Sequence, residues 1–312
     1  MCAIPFRLDG PPYGPPAFMD FDLFIRLIDQ YEGLENLHLQ GLGEPMMHPR
    51  FFDMVSYACE RGIYVSTNTN MTLLNEKRAK RCVDSGLGEI HISVDGAKAE
   101  TDERIRLRGN YDKVVRNIRL LQQAKEAAES QTPRMKLVMV IMRQNLEELP
   151  ELVRQAYDWS MEEIFVQHLA HDFGESSLPE QYLPMREFVD GQTLFEEDLE
   201  KIEKFFGAAR DTAAELGITL RLPKTRMRLH PHGTPGPKRC SWPWTGGYIS
   251  YQGYMMPCCM VSTPDRMNFG SSAMIPVEKL WNSSDFQNFR NQLSSDHPPE
   301  VCASCSIYKG TF

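Results

Sequence analysis

Between residues 20 and 222 the apolar positions switch repeatedly between a helical period and short continuous runs. Phe24, Leu27, Ile28 and Tyr31 recur at i, i+3, i+4 and i+7 and predict a first helix, which Gly33 ends. Leu37 and Leu39 predict a short strand running into Gly41-Leu42-Gly43-Glu44-Pro45. Phe51, Val55, Ala58 and Cys59 mark a helix that stops at Gly62, and residues 63–66 read as the next strand. Leu74, Ala79, Cys82 and Val83 form another helical face, closed by Gly86, and 90–94 a strand ending in Asp95-Gly96. Val114, Val115, Ile118 and Leu121 give a helix. Residues 135–142 follow as a nearly all-apolar strand, as expected where both sheet faces are covered. Leu149, Leu152, Val153 and Ala156 predict a helix, 164–169 a strand, and Leu199, Ile202, Phe205, Phe206 and Ala209 a long helix capped near Gly217. One more strand is expected at 218–222. Such alternation implies βαβ units and a parallel sheet, whose ligands sit just past the carboxyl ends of the strands. Residues 171–192 lack a period and read as a lid or a surface excursion. Residues 230–237 hold three prolines and two glycines and read as a domain linker.

Composition narrows the class. The 312 residues are 42% hydrophobic and 24% charged, ordinary for a globular chain with a sizeable core. The net charge of -8 argues against a nucleic-acid partner, and the basic run at 224–228 reads as a strand end. No apolar run approaches the roughly 18 residues of a membrane span, and Met1 to Arg7 show no secretory pattern, so the expected compartment is the cytoplasm. Five of the eight cysteines lie from Cys240 onward. Clustered cysteines in such a chain read as metal or cluster ligands before disulfides. Cys59 and Cys82, on apolar helix faces, read as buried free thiols.

Three strand ends carry polar punctuation: Gly43-Glu44-Pro45, Ser66-Thr67-Asn68-Thr69-Asn70, and Ser93-Val94-Asp95-Gly96. Singly, each is an ordinary strand-to-helix turn. In this order on successive strands they resemble the core of the radical S-adenosylmethionine (SAM) family, a partial (β/α)6 TIM-like barrel. The resemblance implies that Gly43 and Glu44, with Pro45 completing the turn, hold the ammonium of SAM. It implies that Thr67, Asn68, Ser93 and Asp95 lie near its ribose or carboxylate. Arg106 stands where the family places a basic residue near that carboxylate, in a register left open against Arg104 and Arg108. Gln167 is either an adenosyl contact or a plain strand residue. An ammonium, a carboxylate and ribose hydroxyls call for an acidic, a basic and several neutral hydrogen-bonding groups, so the chemistry agrees.

The family binds its catalytic 4Fe–4S cluster through C-x-x-x-C-x-x-C after the first barrel strand. Here only Cys2 matches, as the third cysteine. The ligand set is therefore incomplete, and the barrel is expected to lack its first strand. Either the given sequence starts inside a normal enzyme, or the chain is a truncated paralogue without SAM chemistry.

Past the linker come Cys240-Ser-Trp-Pro-Trp, Gly253 ahead of Pro257-Cys258-Cys259, Asn268-Phe-Gly270, Leu280-Trp-Asn282 and Cys302-Ala-Ser-Cys305. Only one C-x-x-C knuckle is present, so the zinc-ribbon template fits less well. The string resembles the SPASM/Twitch extension of radical SAM enzymes, a small domain with a β-hairpin and a short helix. The resemblance implies one auxiliary 4Fe–4S cluster on Cys240, Cys258, Cys302 and Cys305, with Cys259 the alternative to Cys258. The expected division is a barrel core over 1–229, a linker over 230–239 and an iron–sulfur domain over 240–312. The implied function is reductive cleavage of SAM to a 5′-deoxyadenosyl radical that takes hydrogen from a small-molecule or peptide substrate, with flavodoxin or ferredoxin as electron donor. The alternative is an inactive iron–sulfur or zinc-binding module. No residue for acid–base work on the substrate stands out.

Overall fold

The computed structural model describes residues 18–41, 43–107, 109–169, 176–226, 240–303 and 305–311. Cys2 and the expected linker lie outside the described residues, as do residues 171–175 of the 171–192 segment. Chain contacts divide the molecule into two compact units, one over 33–168 and 192–225, the other comprising 2–32, 169–191 and 226–312.

The first unit is built on six parallel strands in sequential order: β1 (Asn36–Leu39), β2 (Tyr64–Thr69), β3 (Glu89–Ser93), β4 (Arg134–Val140), β5 (Glu163–Gln167) and β6 (Thr219–Arg221). Parallel neighbours need crossovers. These run through α2 (Phe51–Cys59), α3 (Glu76–Asp84), the pair α4 (Ala99–Ile105) and α5 (Tyr111–Ala127), α6 (Leu149–Asp158) and α8 (Leu199–Leu216). The helices start where the sequence offers caps. Asn75, Asn110 and Asp198 each accept a backbone N–H of the first turn, contributing about 1 kcal/mol apiece. Gly217 closes α8 in the left-handed conformation.

Strand alternation sorts the sheet into two faces. Val65, Ile90, Ile92, Leu137, Met139, Ile164 and Val166 lie on a fully buried face. Ser66, Asn68, His91, Ser93, Lys136, Val138, Phe165 and Gln167 lie on the other, half-buried one. β2 corrects the sequence reading. It runs to Thr69, through residues expected in a turn, because β-branched threonines suit a pleated, half-buried surface and the segment pairs in register with β3.

The second unit holds α1 (Phe21–Ile28), most of α7 (Leu183–Gln192), α9 (Trp242–Thr245), the antiparallel hairpin β7 (Tyr248–Ile249) and β8 (Met255–Met256), α10 (Val277–Trp281), α11 (Ser284–Leu293) and α12 (Glu300–Ala303). Periodicity alone attaches α1 to the barrel. Its apolar residues Leu23 and Leu27 instead pack with Met255, Phe269, Leu280, Phe286 and Tyr308, and Val277 N donates to Gln30 Oε1 at 2.9 Å. The 176–192 stretch forms a short turn and α7, and Tyr182 Oη meets Thr263 Oγ1 at 3.1 Å and Asp265 Oδ2 at 3.2 Å within the same unit.

Candidate cofactor sites

The loop after β1 bends at Gly43, whose φ of 123° suits only glycine. Glu44 then caps a 3-10 turn at Pro45–Met47, its Oε1 accepting from Met46 N at 3.2 Å. The same carboxylate accepts from Thr69 Oγ1 and from Asn70 N, both at 2.8 Å. Burial pushes its pKa up, against these bonds, which pull it down. Glu44 thus laces the β1 loop to the end of β2. Thr67 is fully buried and spends its hydroxyl on Leu39 O at 2.6 Å, on the sheet face opposite Asn68. Asn68 donates from Nδ2 to Gln40 Oε1 at 3.0 Å, while its Oδ1 is buried without a hydrogen-bond partner.

The end of β3 is held more tightly. Asp95 is 1% exposed. Its Oδ1 accepts from Val140 N at 2.8 Å, and its Oδ2 meets Arg106 Nη2 at 2.7 Å. Asn145 donates to both Asp95 O and Val140 O, tying β3 to β4. Gly96 permits close contact with α4, since a Cβ there would lie 2.7 Å from Asp102 N. α4 has no side-chain cap of its own. Glu148 supplies one, accepting from Ala97 N, Lys98 N and Thr101 Oγ1, an anion where a helix start leaves donors unpaired. Arg106 leaves that helix at its carboxyl end, and its Nε is buried without a hydrogen-bond partner. Arg104 lies elsewhere, on Gln144, and Arg108 is outside the described residues. Asn68, Ser93 and Gln167 fall near or at the carboxyl ends of their strands on the half-buried face. The unpaired Asn68 Oδ1 suits a ribose hydroxyl, and the part-exposed Arg106 guanidinium suits a carboxylate.

The same face carries, nearer the amino ends of the strands, a network that the sequence reading missed. His38 Nδ1 meets Ser66 Oγ at 2.7 Å, and the His38 and His91 rings lie 5.3 Å apart. His91 Nε2 pairs with Glu89, and Lys136 bridges Glu89 and Glu163, at 2.9 Å to each. Burial, then repulsion from His91, brings the His38 pKa down to about 4. The available signal was the polar residue at every second position of Glu-Ile-His-Ile-Ser in β3.

In the second unit, Cys240, Cys258, Cys302 and Cys305 line one apolar pocket with Trp242, Pro257 and Phe289. Cys240 precedes α9, Cys258 follows Pro257 at the end of the hairpin, and Cys302 and Cys305 share a turn in which Cys305 N donates to Cys302 O at 3.0 Å. Cys259 starts a separate 3-10 turn and does not line the pocket. Burial, reinforced by the neighbouring thiols, pushes Cys258 and Cys302 well above the ordinary thiol range, and burial also raises Cys240. Thiols so placed stay protonated until a cationic centre compensates their charge, and an iron–sulfur cluster supplies one. Among the described residues, no three His, Cys, Asp or Glu side chains are arranged to hold a single metal ion.

Comparison with known proteins gives the family of each part of the chain. The radical SAM superfamily model matches residues 1–156, and the chain belongs to that superfamily, whose cofactors are SAM and a 4Fe–4S cluster. Residues 240–306 match SPASM, an iron–sulfur cluster-binding domain. A tungsten-containing aldehyde ferredoxin oxidoreductase cofactor-modifying protein of Pyrococcus furiosus is 29% identical over 156 residues, covering 48% of this chain and 43% of that protein. The PqqA peptide cyclase of Rhizobium meliloti is 26% identical over 283 residues, covering 90% of this chain and 68% of the cyclase. The chain thus spans less than half the length of the first relative and about two thirds of the second. Streptococcus suis SuiB bound to its precursor peptide SuiA shares the fold, with a TM-score of 0.67 at 13% identity over 99% of this chain and 67% of SuiB. No described helix is long and apolar enough to cross a membrane.

Proposed function

We propose that this chain is the catalytic core of a radical SAM maturase that acts on a peptide. When bound, SAM and a 4Fe–4S cluster would supply reductive carbon–sulfur cleavage, with one electron from the donor, and hydrogen abstraction from the substrate. The chain's own residues bind and orient. Gly43, Glu44 and Pro45 shape the loop that receives the ammonium, Arg106 takes the carboxylate, Asn68 and Ser93 reach the ribose or carboxylate, and Gln167 the adenosyl group. Thr67 and Asp95, buried and spent on the chain, brace those loops. Cys2 is one thiolate of the catalytic cluster, and Cys240, Cys258, Cys302 and Cys305 hold an auxiliary one.

The observation that carries this reading is the ordered set Gly43–Glu44, Asn68, Ser93 and Arg106 on consecutive βα units of one parallel sheet. The peptide substrate is supported by two relatives, one named a peptide cyclase and one seated on a precursor peptide. A flavodoxin or ferredoxin as donor and a cytoplasmic site of action complete the proposal, with α1 and residues 176–191 packed in the compact unit that carries the iron–sulfur domain rather than in a barrel core over 1–229. The test is anaerobic reconstitution of the gene's full-length product with iron and sulfide, followed by SAM and a strong reductant. Release of 5′-deoxyadenosine is expected. Assembled clusters without any 5′-deoxyadenosine would defeat the enzymatic reading in favour of a binding module.

A further inference from the structure

We infer that Asp95 and Asp102 touch no cofactor and serve as positioning residues that set the direction of the Arg106 guanidinium. The inference rests on the proposed role of Arg106 in receiving the SAM carboxylate.

Three buried features carry it. Asp95 has both carboxylate oxygens engaged, one by Val140 N at 2.8 Å and one by Arg106 Nη2 at 2.7 Å, and its side chain is 1% exposed. Its backbone is engaged as well: Asp95 N donates to Asp102 Oδ1 at 2.8 Å, and Asp95 O accepts from Asn145 Nδ2 at 2.8 Å. A group so enclosed has no surface to offer a ligand. Asp102 is similarly buried, its side chain 3% exposed, and its Oδ1 stands 3.7 Å from Arg106 Nε. The Arg106 side chain, at 26%, is the only one of the three with exposed surface.

The geometry of the fork does the rest. A guanidinium offers two carboxylate-matching edges, one formed by Nε with Nη2 and one by Nη1 with Nη2. Asp95 holds Nη2 at 2.7 Å and Asp102 faces Nε at 3.7 Å, so the first edge is turned toward the protein. The second edge is the one left for a bidentate bond to an incoming carboxylate. Arginine leaves the helix at this residue with φ -100° and ψ 77°, so the backbone alone does not fix where its long side chain goes. Holding one edge removes the rotamer freedom that would otherwise be lost on binding.

The experiment measures SAM affinity by calorimetry on the full-length, reconstituted protein, without reductant, for wild type, Asp95→Asn, Arg106→Lys and the double variant. Asp95→Asn is expected to weaken binding about tenfold, the size of one charge-assisted hydrogen bond's loss of order. Arg106→Lys, which keeps the charge and loses the fork, is expected to weaken it at least as much. The double variant should bind no more weakly than Arg106→Lys alone, since a residue acting through Arg106 has nothing to act on once the fork is gone. Additive losses in the double variant would overturn the inference, as would unchanged or tighter binding by Asp95→Asn. Unchanged binding by Arg106→Lys would instead overturn the proposed role of Arg106. If Asp95→Asn does not fold, Asp102→Asn takes its place in the same cycle, judged by the same non-additivity.

Discussion

His38 offers a sharp test of the polar network on the half-buried sheet face. It sits on β1 against Ser66 and beside the His91 ring. Burial disfavours its cation, and His91 adds repulsion, bringing the pKa down to about 4 from an ordinary 6.5. The unfolded chain therefore binds a proton at His38 between these values and the folded chain does not. Stability from this group is present above about pH 6.5 and is lost as pH falls towards 4. With these two pKa values, the loss is about 2 kcal/mol on going from neutral pH to about pH 5, and about 3 kcal/mol near pH 4. The perturbation is His38→Gln, which keeps a hydrogen-bonding side chain and cannot titrate. Urea denaturation of wild type and variant at neutral pH and at about pH 5 gives four stabilities. The variant is expected to be less stable at neutral pH, yet to lose about 2 kcal/mol less than wild type on acidification. His168, whose pKa burial also lowers, titrates in both proteins and cancels in the difference. Equal acid losses in the two proteins would refute a neutral, desolvated His38.

Two further outcomes follow from the sites. Gly96→Ala puts a Cβ 2.7 Å from Asp102 N and forces α4 away from β3. It should cost about 1–3 kcal/mol in a denaturation curve and weaken SAM binding, because Arg106 ends that helix. Cys258→Ser should lower the iron and acid-labile sulfide content of the reconstituted protein by one cluster, while Cys259→Ser should leave it unchanged. The reverse pattern in the metal assay would exchange their roles.

Periodicity and local punctuation made the alternating helices and strands, the parallel sheet and the clustered late cysteines legible, because each depends on neighbours a few residues away. The resemblance to a SAM core was legible because its short motifs fall on successive strand ends. Local pattern misled at β2, where Thr67 to Thr69 look like a turn and lie in a strand, and at α1, whose apolar stripe does not say which core will bury it.

What only the folded chain decided is which face and which partner each polar residue finds. Thr67 and Asn68 are adjacent in sequence and diverge to opposite faces of the sheet, because the side-chain period of a strand is two. Asp95 reads as a ligand contact in its motif, yet its carboxylate is consumed by Val140, 45 residues away, and by Arg106. His38, Glu89, His91, Lys136 and Glu163 come from four strands and form a network only through sheet register. Cys258 and Cys259 are indistinguishable by composition, and the turn after Pro257 selects which one lines the pocket. The physical reason is common to all four cases. A sequence states what a side chain can bond, whereas long-range pairing fixes which bonds burial leaves it to make.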